Sequence, residues 1–277
     1  MLIATLFFTG MQTAAKALSD FPVFQVLFFR SSITALFCVA FLKSQGISLK
    51  GYNQKLLILR AILGILSMSL FFITLQRMPF GASVSLKYLS PIFTAIFAVL
   101  ILKEKVKSIQ WLFFLGALSG VVLLKGFDAR IDNLNLILGI LGAVFGGGVY
   151  VVIRKIGQSE HSMVIINYFM LSAAILTGLL MIPDWKKPSL YQWMLLISTG
   201  IFGYFAQIYM TKAFQIESAS RIAQLKYLEV IYSLIIGLIW FGEGYSWLSL
   251  IGILLILVFM ILNVLVKNSN GGRTATP

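Results

Sequence analysis

The sequence predicts an all-α membrane protein of ten transmembrane helices in two inverted five-helix repeats. Three observations carry this: an apolar composition, ten apolar stretches of about spanning length, and a motif that recurs at a fixed offset. Hydrophobic residues make up 59% of the chain and charged residues 11%, against roughly 45–50% and about 25% in soluble domains. A soluble fold cannot hide so much apolar surface. The net charge of +13, from 22 Lys and Arg against 9 Asp and Glu, would suit nucleic acid if it formed one patch. Most of these charges instead fall in short gaps between apolar stretches, so no nucleic-acid partner is expected and the lipid bilayer is.

A spanning helix needs roughly 20 mostly apolar residues, and charged, Gly and Pro punctuation cuts the chain into ten such pieces. Met1–Leu18 has no basic start and no small-residue cleavage site, so it reads as a mature first span rather than a signal peptide, and its shortness is what residues missing before Met1 would produce. Val23–Leu42 runs from Pro22 to Lys43, Leu56–Leu75 from Lys55 to Arg77, and Phe80–Leu102 from Pro79 to Lys103. Ile109–Leu124 ends at Lys125, Leu134–Ile153 at Arg154, and Met163–Ile182 at Pro183. Tyr191–Thr211 ends at Lys212, Ala219–Phe241 at Gly242, and Trp247–Val266 at Lys267. The repeats are expected at 1–128 and 129–267, and the polar tail 268–277, NSNGGRTATP, is expected to be disordered.

Cytoplasmic loops retain Lys and Arg. With the N-terminus inside, twelve of these residues fall on inner loops, helix ends and the tail, and six on the outer ones. Both termini are therefore expected in the cytoplasm of a multi-pass protein. The four that remain, Arg30, Arg60, Lys87 and Lys226, lie within or at the edge of spans.

The internal repeat is the most informative feature. Leu86-Lys87-Tyr88-Leu89 in span four recurs as Leu225-Lys226-Tyr227-Leu228 in span nine. On the same ungapped offset Glu104 matches Glu243, and Gly64 matches Gly203. An odd number of helices in each half requires opposite orientations in the membrane. Inverted repeats of this kind mark transporters, with a substrate site near the midplane where the halves meet.

The chain resembles the drug/metabolite transporter superfamily, specifically its EamA-type members with ten helices in a five-plus-five inverted repeat. The resemblance covers nearly the whole chain and rests on three stretches. They are the phrase around Phe29-Arg30, the run from Ala82 to Glu104 (ASVSLKYLSPIFTAIFAVLILKE), and its partner from Ala219 to Glu243 (ASRIAQLKYLEVIYSLIIGLIWFGE). The second run departs from the first where Val230 stands for Pro91 and Glu229 for Ser90, so a proline break is expected in span four and not matched in span nine. The resemblance implies exchange or proton-coupled movement of small metabolites, often outward, across the bacterial inner membrane. It does not name the cargo.

Charged side chains in hydrocarbon cost about 2.5–3.5 kcal/mol on insertion scales, so each is a functional candidate by default. Arg30 can bind a carboxylate or phosphate in bidentate fashion, or tie to backbone carbonyls of a neighbouring helix. Lys87 and Lys226 can meet in a central cavity beside Tyr88 and Tyr227, whose rings can stack on a planar ligand; the alternative is snorkelling to the interface. Glu229, the only acid clearly inside a span, is the candidate for a coupling proton, unless pairing with Lys226 three residues before it makes it structural. Tyr150, Asn167, Tyr168, Gln207 and Tyr209 can supply orienting contacts in an apolar pocket, or bond between helices.

Other features read structurally. Glu104 and Glu243 sit at helix C-terminal ends, where the helix dipole disfavours them, so each needs a basic or backbone donor partner and can stabilise a gate. Gly146-Gly147-Gly148 lacks the pattern of a phosphate loop and implies close helix packing or local unwinding. Gly116 and Gly120 form a GxxxG that serves either an internal contact or a homodimer seam. Cys38 is the only cysteine, so no intramolecular disulfide or CxxC site exists. No metal or cofactor is expected, and without a nucleotide-binding motif the energy must come from a gradient or exchange.

These readings converge on a secondary transporter, not an enzyme, for a small-molecule substrate with an anionic group: an amino acid, a nucleotide-like metabolite or an organic anion. A lipid flippase or scramblase would need a side-open polar groove. A membrane-embedded lipid enzyme would need clustered Asp, His or Ser, whereas the chain has one His and no Asp in any span.

Overall fold

The structure is a computed structural model that describes residues 2–102, 107–127, 130–216 and 228–268. Among these residues the chain forms α-helices joined by short loops. They are α1 (Leu2–Lys16), α2 (Val23–Ser44), α3 (Gln54–Arg77), α4 (Phe80–Lys87), α5 (Ser90–Leu102), α6 (Ser108–Phe127), α7 (Asn133–Ile156), α8 (Ser162–Leu180), α9 (Leu190–Ile216), α10 (Leu228–Trp240) and α11 (Trp247–Asn268). Six helical segments are long and apolar enough to cross a membrane: Val23–Ser44, Gln54–Arg77, Phe80–Ile101, Asn133–Ser159, Ser162–Leu180 and Leu190–Ala213.

Helix starts follow local chemistry. Asn53 caps α3 by accepting from the Leu56 amide, and Asp132 caps α7 by accepting from the Asn135 amide, each satisfying one donor that the first turn leaves open. Prolines 22 and 79 precede α2 and α4, where the ring's fixed φ suits a helix start.

Span four is broken, as its proline foretells. Pro91 has no amide to bond the Lys87 carbonyl, and its ring crowds that group. The helix stops at Lys87, and Tyr88 and Leu89 turn with tight bonds to Ser85 and Leu86. The Ser90 hydroxyl then donates to the freed Lys87 carbonyl at 2.7 Å. The break thus leaves Lys87 on the last turn of α4, inside the bundle.

The N-terminal and C-terminal segments interleave. α1 packs on α9, α2 between α8 and α9, α3 on α7 and α8, α4 on α10, α5 on α7, and α6 on α11. The triple glycine stays helical and permits the α5–α7 approach: a Cβ on Gly147 would lie 2.7 Å from the Phe93 Cβ. The GxxxG of α6 also faces inward. A Cβ on Gly120 would meet the Gly252 carbonyl at 2.6 Å, and one on Gly116 the Phe259 ring, so this pair serves the internal α6–α11 contact.

The polarity of the bundle is that of a protein in lipid. Leu36 on α2 is 68% exposed and Ile239 on α10 is 77% exposed, while Gln12, Arg30, Arg60, Asn167 and Glu229 are buried. Water would reverse this arrangement; hydrocarbon favours it.

Candidate functional site

A cavity of about 110 Å3 lies at the centre of the helices, lined by residues of α1, α2, α3, α4, α7, α8 and α9. Three cationic side chains reach it: Arg30 from α2, Arg60 from α3 and Lys87 from the end of α4.

Lys87 and Glu229 form the charged pair of the site. The Glu229 carboxylate is 0% exposed; its Oε2 lies 3.4 Å from the Lys87 ammonium and accepts from the Gln12 amide at 3.0 Å. The ammonium also sits over the Phe71 and Phe8 rings, 4.7 and 5.2 Å from their centroids. Pairing removes much of the penalty of burying either charge alone, and the aromatic faces add cation–π attraction. Among the described residues the cationic partner of Glu229 is therefore Lys87, on the other half of the chain.

Arg30 and Arg60 are placed differently. Arg30 is 3% exposed; its guanidinium donates to the Met11 and Met68 sulfurs and lies 5.4 Å from the Phe72 centroid. Arg60 is 2% exposed and stacks on Phe169 at 4.3 Å. Its Nε and Nη1 are buried and make no hydrogen bond. Among the described residues no carboxylate lies within ion-pair distance of either guanidinium. Gly64, one turn after Arg60, leaves the room it occupies: a Cβ there would strike Arg60 Nη1 and come within 2.9 Å of the Phe169 ring.

Of the residues expected at the site, Arg30, Lys87, Tyr150 and Gln207 line the cavity. Tyr88, Asn167, Tyr168 and Tyr209 do not. Tyr88 is buried in the turn after α4, and Asn167 is buried on α8. The Tyr168 hydroxyl donates to the Lys50 carbonyl at 2.5 Å, tying α8 to the α2–α3 loop. Tyr209 stacks on Phe7 with planes 8° apart and is partly exposed. Lys226, Tyr227 and Glu104 lie outside the described residues. Arg60 was visible in sequence as a charge within an apolar span, and the glycine one turn later was the further signal that its side chain lies along the helix.

A second polar cluster closes one end of the bundle. Glu243, in the loop between α10 and α11, pairs with Lys16 at 3.3 Å and accepts from the Phe80 amide at 2.7 Å and the Tyr245 hydroxyl at 2.6 Å. Lys16 also donates to the Met78 carbonyl, and Arg130 to the Gly244 carbonyl. Burial, the bond to Glu243 and its negative charge push the Tyr245 phenol above its ordinary range, which keeps it a proton donor. Glu243 thus has both kinds of partner its position demands, and it caps the N-terminus of α4.

The chain is similar to known transporters over nearly its whole length. It is 28% identical over 260 residues to the pseudopaline exporter of Pseudomonas aeruginosa, covering 93% of this chain and 92% of the relative. It is 28% identical over 275 residues to human solute carrier family 35 member G1, covering 92% of this chain and 74% of the relative. A solved crystal structure of 18% identity superposes with a TM-score of 0.67 over 97% of this chain and 99% of that one, which shows a shared fold. The EamA-like transporter family matches residues 1–125 and again 133–265. With its apolar exterior, multiple apolar spans and polar interior, the chain is a multi-pass membrane protein, not an enzyme, and it belongs to the EamA-like transporter family.

Proposed function

We propose that the protein is a secondary active transporter, an exporter or exchanger, that moves a small organic anion through the central cavity by alternating access. One observation carries this reading: Arg30, Arg60 and Lys87 converge on the cavity, and among the described residues the one carboxylate paired with any of them, Glu229, is already shared with Lys87. The site has a standing excess of positive charge, which an amino-acid carboxylate, a nucleotide-like metabolite or another organic anion would neutralise. Rings of Phe8, Phe71 and Phe72 offer the apolar wall that an organic body needs.

The two-repeat organisation supports a midplane site. On the offset that pairs Lys87 with Lys226, Met11 pairs with Tyr150, Arg30 with Phe169, Met68 with Gln207 and Phe71 with Met210, and all eight of these residues line the cavity. Under the ten-span, inverted-repeat reading, Lys226 and Tyr227 approach the same space from the second half. The cavity is smaller than the roughly 300–1,000 Å3 of ordinary ligand sites, so cargo entry entails opening. Glu229 then serves as the coupling group: an arriving anion competes for Lys87, and the released carboxylate takes a proton. The exporter among its relatives supports outward transport across an inner membrane, and the excess of Lys and Arg on the inner loops supports both termini in the cytoplasm.

Flux of radiolabelled organic anions in proteoliposomes tests the reading. Arg30→Ala and Lys226→Ala are each expected to lower transport at least ten-fold with unchanged insertion. Undiminished flux in both would remove the charged site, and flux without an ion gradient or counter-substrate would mark a passive facilitator.

A further inference from the structure

Arg30 and Arg60 occupy one cavity, yet they are not arranged as a structural pair. Each is almost fully buried, and among the described residues each meets partners without a formal charge: thioether sulfurs and the Phe72 ring for Arg30, the Phe169 ring and the nearby Tyr150 phenol for Arg60. A buried cation without an anion is costly, and two cations facing one small space repel one another. Lys87 shows what a satisfied cation looks like in this bundle, with Glu229 at 3.4 Å. Arg60 has two buried donor atoms, Nε and Nη1, with nothing to bond, and they belong to the fork that matches a carboxylate or phosphate edge. Phe169 supports the guanidinium, and the missing side chain of Gly64 leaves the room in which it lies.

The repeat gives this arrangement a further meaning. Phe169, the ring under Arg60, is the counterpart of Arg30, and the counterpart of Arg60 is Thr199. The second arginine therefore does not arise from duplication of the first. It is a separate cation brought to the same cavity from α3.

We infer that Arg60 forms a second anion subsite beside Arg30, and that the cargo carries two anionic groups, two carboxylates or a carboxylate and a phosphate, one for each guanidinium. This rests on the anion-transport reading above and narrows its substrate class. Both guanidiniums rest on rings and sulfurs, so among the described residues neither has an ion pair to break to receive the cargo. Only Lys87 does, and its exchange of Glu229 for a ligand remains available for coupling.

The test compares ligands that differ in their anionic groups. Purified protein in nanodiscs is titrated with glutarate, with its monoamide glutaramate, and with 3-phosphoglycerate, for the parent, Arg60→Gln and Arg60→Lys. Glutarate, which differs from glutaramate by one charge at constant size, or 3-phosphoglycerate, which pairs its carboxylate with a more highly charged phosphate, is expected to bind at least ten-fold more tightly than glutaramate, the ligand that does so identifying the second group as carboxylate or phosphate. Arg60→Gln is expected to bring that ratio close to one by weakening that ligand alone, and Arg60→Lys to keep part of it. Should Arg60→Gln fail to fold, the ratio in Arg60→Lys decides. A ratio near one in the parent, or a ratio that Arg60 substitutions leave intact, or equal weakening of both ligands, overturns the inference while the anion-transport reading stands. Absence of binding by every one of the three anions overturns both.

Discussion

Glu229 holds its charge in the interior through two contacts, the Lys87 ammonium and the Gln12 amide. Removing one member of a buried pair strands the other, at a cost of about 3–5 kcal/mol. Lys87→Met is therefore expected to lower thermal stability sharply in detergent. Glu229→Gln in the same chain should recover most of the loss, because neither charge then remains alone, and a double-mutant cycle on apparent melting temperature reads the coupling directly. A Lys87→Met variant as stable as its parent would show that Glu229 does not depend on this pair. At this scale the sequence was a partial guide. Intramembrane charge singled out Arg30, Lys87 and Glu229, because a charge within an apolar run is conspicuous whatever the packing. The Lys87 contact of Glu229 was not legible, since Lys87 is far away in sequence and comes close only after α1, α4 and α10 have packed. Tyr168 and Tyr209 lie away from the cavity, and their place was not legible for a different reason. An aromatic hydroxyl on a helix can face a cavity, a loop or lipid with equal ease, and nothing in their spacing chose among these.

Elements were more legible because lipid imposes length. Most described helices end within two residues of the sequence-derived spans, and α9 runs on past its expected end at Thr211 to Ile216. The α4–α5 break follows from Pro91 alone. What the sequence could not supply was which faces meet, and here glycine decides. Gly147 lets the α5 backbone approach α7 so closely that an added Cβ would lie 2.8 Å from the Thr94 amide nitrogen. Backbone cannot rotate away as a side chain can, so overpacking costs about 1–3 kcal/mol. Gly147→Ala should lower thermal stability by that order, whereas Gly244→Ala, whose Cβ would meet nothing within 4 Å, should leave it within error. Equal effects of the two substitutions would show that the α5–α7 approach is not set by this glycine.

For the whole molecule, the question is which contacts hold one end of the bundle shut around an undersized cavity. Lys16 ends α1, Phe80 begins α4, and Glu243 and Tyr245 lie between α10 and α11; one carboxylate joins all of them. Under the proposed alternating access this hub is joined in one state, the one described, and parted in the other. Glu243→Gln removes the ion pair, and its amide can no longer accept from the Phe80 amide and the Tyr245 hydroxyl with a full charge behind it. Charge-assisted bonds are roughly twice as strong as neutral ones, so the balance moves toward the parted state. Thr74 lines the cavity and is buried, and it reports opening when replaced by cysteine in a Cys38→Ala background. In right-side-out vesicles, a membrane-impermeant maleimide is expected to label Thr74→Cys several-fold faster when Glu243→Gln is also present, and Lys16→Met should act in the same direction. Acceleration only in inside-out vesicles would place this end in the cytoplasm and reverse the orientation proposed from the loop charges, while unchanged rates from both sides would show that closure depends on the apolar packing beneath the hub.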